Sequence, residues 1–195
     1  MNKYFKLVYF IVFIIFFMKF WNYYMLYNLN IPNNNLKRIT YSNDSIIRIL
    51  SYNIFLRPPF ISHNHSDYKD DRCKIFSKIL VNYDIIALQE VHTCFNFRCN
   101  NIIENACKHG LRYHYITYAS SMFSKHLANN ALLILSRFPI ISNDYISFSK
   151  YGGYDGIIEK GCNYCKIQVG INTNIHLFNT HLQSSFCKND TESTS

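Results

Sequence analysis

Four short apolar runs, each giving way to polar residues at its C-terminal end, constrain this chain more than any other feature. Ile46-Ile47-Arg48-Ile49-Leu50-Ser51-Tyr52-Asn53 ends in Asn53, and Asp84-Ile85-Ile86-Ala87-Leu88-Gln89-Glu90 ends in Gln89 and Glu90. Ala131-Leu132-Leu133-Ile134-Leu135-Ser136-Arg137 ends in Ser136 and Arg137, while the run through Ile175 and Leu177 ends in Asn179, Thr180 and His181. Runs of this length and composition read as buried strands. If their ends converge, Asn53, Glu90 and His181 share one pocket.

Between the first two runs, 67–82 places Cys73, Phe76, Ile79 and Leu80 at helical spacing, with Lys and Asp on the other side. An amphipathic helix is expected there, completing a βαβ-like unit whose strand ends carry Asn53 and Glu90. A second helix is expected over 100–109, with Ile102, Ile103 and Ala106 inward and Gly110 closing its C-terminus. A strand follows over 113–118. A chain of 195 residues is long enough for one domain with a sizeable core.

The amino terminus has a different character. Lys3 and Lys6 precede an unbroken apolar run, Leu7 to Met18, and after Lys19 an aromatic, half-polar stretch continues through Leu26. The apolar run alone matches the core of a secretory signal, but no small-x-small cleavage site follows. Prolonged by Phe20 to Leu26, it also reaches the roughly 20 residues of a membrane span. The chain therefore divides into a signal peptide or signal-anchor over 1–27, a polar Asn-rich linker over 28–45, and a folded part over 46–195. Either amino-terminal reading makes the domain lumenal or extracellular, as an anchored or a secreted protein. Asn43, Asn64 and Asn189 then head glycosylation sequons. Cys94/Cys99 and Cys162/Cys165 form local pairs within an odd total of 7 cysteines. The formal charge of +8 suits an anionic partner, phospholipid surface or nucleic acid. No basic run with interleaved aromatics marks a nucleic-acid groove.

Five motifs in one order carry a resemblance: Asn53 after a strand, Leu-Gln-Glu-Val at 88–91, Leu-Ile-Leu-Ser-Arg-Phe-Pro-Ile at 133–140, the Asp-x4-Lys-Gly of Asp155 to Gly161, and Asn-Thr-His-Leu-Gln-Ser at 179–184. The chain thereby resembles the endonuclease/exonuclease/phosphatase superfamily and, within it, is most similar to the neutral sphingomyelinases. The resemblance implies an α+β fold, a four-layer α/β/β/α sandwich of which residues 46–186 supply mainly the first sheet, about the first half to two-thirds of the whole. One inner sheet face would then lie uncovered.

The resemblance also implies an activity, magnesium-dependent hydrolysis of sphingomyelin to ceramide and phosphocholine, with manganese as a substitute ion. Asn53 and Glu90 would be the metal ligands; a hard divalent cation takes amide and carboxylate oxygens and keeps several waters. His181 would contact the phosphate, stabilising charge as phosphorus becomes five-coordinate. Asp155 and Lys160 would be needed for activity, the lysine also offering a point charge to phosphate. Gln89 orients its neighbours and Arg137 is structural. Where the family usually has glycine, Ala131 calls for a more ordinary backbone. The partner implied is membrane sphingomyelin or another phosphodiester lipid, with nucleic acid disfavoured and no protein partner deducible. Alternatives are a superfamily nuclease or phosphoinositide phosphatase, or a non-catalytic, membrane-tethered lipid-binding remnant. The family's general base and the aspartate that holds it lie in later Gly-Asp-x-Asn and Asp-His motifs, and neither string occurs in this sequence. A truncated and inactive form is expected, and the reading frame beyond Ser195 would discriminate between enzyme and remnant.

Overall fold

A computed structural model of the chain describes residues 3–29, 46–62, 67–117, 131–148 and 158–182. The first element is a long helix, α1 (Lys3–Leu29), which ends two residues beyond the boundary read from the sequence. Its segment Tyr4–Met25 is the one candidate membrane span among the described residues, with 0% of its most apolar window buried. That exposure speaks against a soluble core helix.

The rest forms two facing sheets. The first contains β1 (Ile49–Leu56), β2 (Ile85–Val91), β3 (Tyr113–Ile116) and β4 (Leu133–Ser136) in the order β1-β2-β4-β3. β1 and β2 run parallel, joined through helix α2 (Lys69–Ile79) and a short 3-10 turn at Leu80–Asn82, as the βαβ pattern predicts. β4 is antiparallel to both β2 and β3. The second sheet, β5 (Ile140–Ser147), β6 (Gly161–Gln168) and β7 (Asn174–Thr180), is a wholly antiparallel meander.

Side-chain alternation separates the two cores. On one face of the first sheet, Ile54, Ile86, Leu88, Leu133 and Leu135 pack with Cys73 and Phe76 of α2 and with Cys99, Ile102 and Ala106 of helix α3 (Arg98–Lys108). On the other face Ile85, Tyr115 and Ile134 meet Cys165 and Ile167 of β6. The helix expected at 100–109 therefore starts two residues earlier, and Gly110, with φ 90, closes it as expected. Ile79, expected inward, is 37% exposed, because the 3-10 turn that follows tightens the chain and turns Leu80 inward in its place. The strand expected over 113–118 ends at Ile116.

These are three layers of a mixed α+β sandwich, helices on sheet on sheet. Two expectations need correction. The described residues supply both sheets, not mainly the first, and the two inner faces cover each other. Among the described residues the uncovered surface is the outer face of the second sheet, where Ile146 and Phe178 are 62% and 65% exposed.

Candidate functional site

Glu90 lies in β2, where strict alternation would put its side chain on the helix-covered face with Ile86 and Leu88. It does not go there, because its backbone is left-handed, with φ 59. The register confirms the irregularity: Asn53 pairs with Gln89 and Leu56 with Val91, so two residues of β1, Ile54 and Phe55, oppose Glu90 alone. Such a bulge re-aims a side chain at a strand end. A non-glycine residue held left-handed costs about 1–3 kcal/mol, which the surrounding packing must offset.

The result is a convergence of three side chains. Asn53 Nδ2 donates to Glu90 Oε1 at 2.8 Å, and Phe55 N–H donates to Asn53 Oδ1 at 2.9 Å, fixing the amide plane. Asn53 Oδ1 keeps a second lone pair. His181, just past β7, brings Nε2 to 3.8 Å from the same Glu90 oxygen. Asn53, Glu90 and His181 thus meet at one edge of the sandwich, although the first two come from one sheet and the third from the other.

Beside the site, a buried amide pair adds to the apolar core that joins the two sheets. Gln89 Nε2 donates to Asn179 Oδ1 at 2.7 Å, and Asn179 Nδ2 donates to the Leu88 carbonyl at 2.9 Å. Asn179 is 2% exposed. Each amide sits within two residues of a site group, Gln89 before Glu90 and Asn179 before His181. Gln89 therefore orients its neighbours, as the sequence suggested.

Lys160 immediately precedes β6 and is buried, close enough to His92 for its charge to act there. His92, which the sequence reading passed over, lies two residues beyond Glu90. Burial above all, then the Lys160, His181 and Arg57 charges, push its pKa down to about 4, so it is neutral near pH 7. Its position two residues after the Leu-Gln-Glu of β2 was the one available signal. Asp155 lies outside the described residues, as do all three sequons and Gln183 and Ser184.

Arg137 belongs to the opposite end of the sheet. Because β4 is antiparallel to β2, Ser136 pairs with Ile85 at the start of β2, far from Glu90. Arg137 Nε donates to Asp84 Oδ1 at 3.1 Å, Nη1 to the His109 carbonyl at 2.7 Å and Nη2 to the Val81 carbonyl at 3.2 Å. It ties loops together, which is the structural role expected of it. Ala131 corrects another expectation: it is left-handed after all, with φ 49, and its carbonyl accepts from Val91 N–H at 2.9 Å. That bond anchors the residue after Glu90, so the turn keeps the shape a glycine would give it, at a strain cost. The Cys162/Cys165 pair dissolves as well, since residues three apart on a strand point to opposite faces, and Cys165 alone is in the core.

Among the described residues no cluster of three or more His, Cys, Asp and Glu side chains is arranged to hold a metal. A site of one carboxylate and one amide oxygen completed by water is nonetheless what a magnesium ion tolerates, since it uses one or two carboxylates and dehydrates reluctantly. By donor type the Glu90 carboxylate and the remaining lone pair of Asn53 Oδ1 fit that set, although it is Asn53 Nδ2 that meets Glu90 here.

No family model matches the chain. It is 34% identical over 140 residues to a sphingomyelinase of Dictyostelium discoideum, a match covering 67% of this chain and 30% of that protein. The chain thus spans about a third of the length of the curated relative it matches. Among solved structures, it superposes on a Staphylococcus aureus beta toxin mutant with bound magnesium ions at a TM-score of 0.60 and 22% identity, covering 71% of this chain and 50% of that one. An endonuclease/exonuclease/phosphatase family protein of Leptotrichia buccalis superposes at a TM-score of 0.50 and 16% identity, covering 73% and 57%. The chain is therefore similar to sphingomyelinases and has the endonuclease/exonuclease/phosphatase fold, of which it spans about half.

Proposed function

We propose that this chain carries the cation- and phosphate-binding part of a magnesium-dependent sphingomyelin phosphodiesterase, held at a membrane by α1. The observation that supports it most is the left-handed Glu90, whose carboxylate is turned out of the strand pattern to meet Asn53 and His181. A strained residue that also turns a carboxylate out of the strand pattern toward two polar side chains motivates a functional reading.

In this reading Glu90 and Asn53 hold magnesium, or manganese in its place, at the joined ends of β1 and β2. Magnesium, when bound, neutralises a phosphoryl oxygen and polarises phosphorus toward attack. His181 donates to a phosphoryl oxygen, and its contact with Glu90 aims the ring. Lys160 adds a positive point charge from the start of β6, with Asp155 as its expected partner. His92, kept neutral, adds no competing charge beside the cation. A lipid headgroup is favoured over nucleic acid because α1 carries a segment long and apolar enough to span a membrane. Under this reading, residues 1–27 act as a signal-anchor or cleaved signal, residues 28–45 as a linker, and the domain is lumenal or extracellular.

Hydrolysis also needs a base to activate water, and the family's Gly-Asp-x-Asn and Asp-His strings are absent from these 195 residues. The chain alone is therefore expected to bind without turning over. Calorimetric titration of phosphocholine into the chain tests this. Binding that appears with magnesium and vanishes with chelator, while release of phosphocholine from sphingomyelin stays at background, supports the reading. Metal-independent binding, or preference for an oligonucleotide under the same conditions, would overturn it.

A further inference from the structure

The carboxyl-terminal third of α1 is not a free tether. Trp21 Nε1 donates to the Thr93 carbonyl at 3.3 Å, and the indole packs against Phe95 and Phe97 with ring centroids 5.9 and 5.8 Å away. One turn earlier Phe17 stacks on Phe95, and Phe95 meets Phe60 edge-on at 6.4 Å. Further along, Met25 and Leu29 are buried, and the His114 ring hydrogen-bonds the Leu29 carbonyl. The helix is thus fastened to the loop leaving β2 after Val91 and, through Phe95, reaches Phe60 in the loop leaving β1 after Leu56. Those are the loops that border the candidate site.

Helix length then sets a depth. Within the span Tyr4–Met25 the unbroken apolar run, Leu7 to Met18, is 12 residues, about 18 Å at 1.5 Å each, against about 30 Å of hydrocarbon to be crossed. The deficit draws the next turn, with Lys19 and Trp21, inward as far as a charge and an indole permit, which is the headgroup boundary. Phe60, Phe95 and Phe97 are joined to that turn and must travel with it. Phe60 and Phe97 are 61% and 57% exposed, an odd use of large rings in water and an ordinary one at a lipid boundary.

We infer that Phe60, Phe95 and Phe97, clamped to Trp21, form an aromatic collar buried in the headgroup region of the membrane that α1 crosses. The lipid surface is its partner. This inference rests on the anchor reading above and deepens it: the collar seats the edge carrying Asn53, Glu90 and His181 on the membrane surface, so its substrate is lipid drawn from that leaflet.

Trp21 is the chain's 1 tryptophan, so a relocated tryptophan reports depth without background. In a Trp21→Phe chain, tryptophan is placed either at the collar (Phe60→Trp) or at the β6–β7 turn (Ile171→Trp), 78% exposed and at the other end of β7 from His181. Each full chain is reconstituted in phosphatidylcholine vesicles containing lipid brominated near the top of its acyl chains. Emission from Phe60→Trp should fall about twofold or more, as for a ring lying at the headgroup–acyl boundary, while emission from Ile171→Trp stays unchanged. Trp21 in the original chain should likewise be quenched by the bromine, which reads the depth of the clamped turn without any relocation. A collar tryptophan quenched by aqueous acrylamide and untouched by bromine would overturn the inference. Alkaline carbonate extraction reads the anchor separately: a chain that resists extraction yet shows no collar quenching sinks the collar alone, and an extractable chain sinks both.

Discussion

The buried pair Gln89 and Asn179 offers a demanding perturbation, because it joins the two sheets at the level of the site. Asn179→Leu removes the acceptor of the 2.7 Å bond from Gln89 and the donor to the Leu88 carbonyl at 2.9 Å. Gln89 Nε2 is then left with Ser51 Oγ at 3.3 Å and the Ala87 carbonyl at 3.4 Å, both long. A buried polar group stripped of its main partner costs about 1–3 kcal/mol, and the lost bond adds about 1 kcal/mol, so destabilisation of about 2–4 kcal/mol is expected. Replacing both partners, Gln89→Leu with Asn179→Leu, removes the orphaned amide and should recover about 1 kcal/mol or more relative to Asn179→Leu. Urea unfolding of the detergent-solubilised chain, followed by circular dichroism with a shared slope, measures all three. A cost below about 0.5 kcal/mol for Asn179→Leu, or a double variant no better than the single one, would refute the claim that this pair ties the sheets.

Other consequences follow from the same packing. Arg137→Gln should lower stability by about 1–3 kcal/mol, through the loss of bonds to Asp84 and two carbonyls, yet leave metal affinity intact in the fraction that stays folded; weakened metal binding in folded Arg137→Gln would contradict its placement. Native thiol labelling should reach exposed Cys107 long before Cys73, Cys94 and Cys165, whose burial pushes their pKa up to about 11, 11 and 12; mass spectrometry of early-labelled peptides decides the order. The Arg98 hydrogen bond holds the Asp70 carboxyl below its ordinary value of 3.8. A depressed acid stabilises the fold above that value and loses its contribution as pH falls below it. With Asp70 largely exposed the gain is under about 1 kcal/mol, and Arg98→Gln should flatten the acid limb of the stability curve by that much. An unchanged limb would show the pair to be inert.

The strand ends were legible because chemistry and pattern coincide there: an apolar run that stops at Asn53, Glu90 or His181 announces both a strand and a site. The helices were legible from spacing, within three residues at their ends. Direction was not. Nothing in the run ending Ser136-Arg137 distinguishes an antiparallel strand from a parallel one, so the structural role expected of Arg137 rested on the resemblance and its position at the far end of the sheet came from the structure. Nor does the sequence betray the left-handed backbone at Glu90 and Ala131, since neither is a glycine and the strain is imposed by the partner strand. β5 escaped notice because Ile140–Ser147 is an edge strand with half its residues polar and no clean alternation. The clamp between α1 and the loop around Phe95 was hidden for a compositional reason: in a chain with 16 Phe and 16 Tyr, no single aromatic stands out.

The central claim is that the turned Glu90 carboxylate and the Asn53 amide hold one divalent cation. Titrating the folded chain with manganese and counting free ion by electron paramagnetic resonance addresses it without any need for turnover. One site per chain is expected in the original protein, and Glu90→Ala, with unchanged circular dichroism, should weaken it about tenfold or more, a loss of about 1.4 kcal/mol. Equal affinity in the two proteins would remove Glu90 from any metal centre and contradict the account.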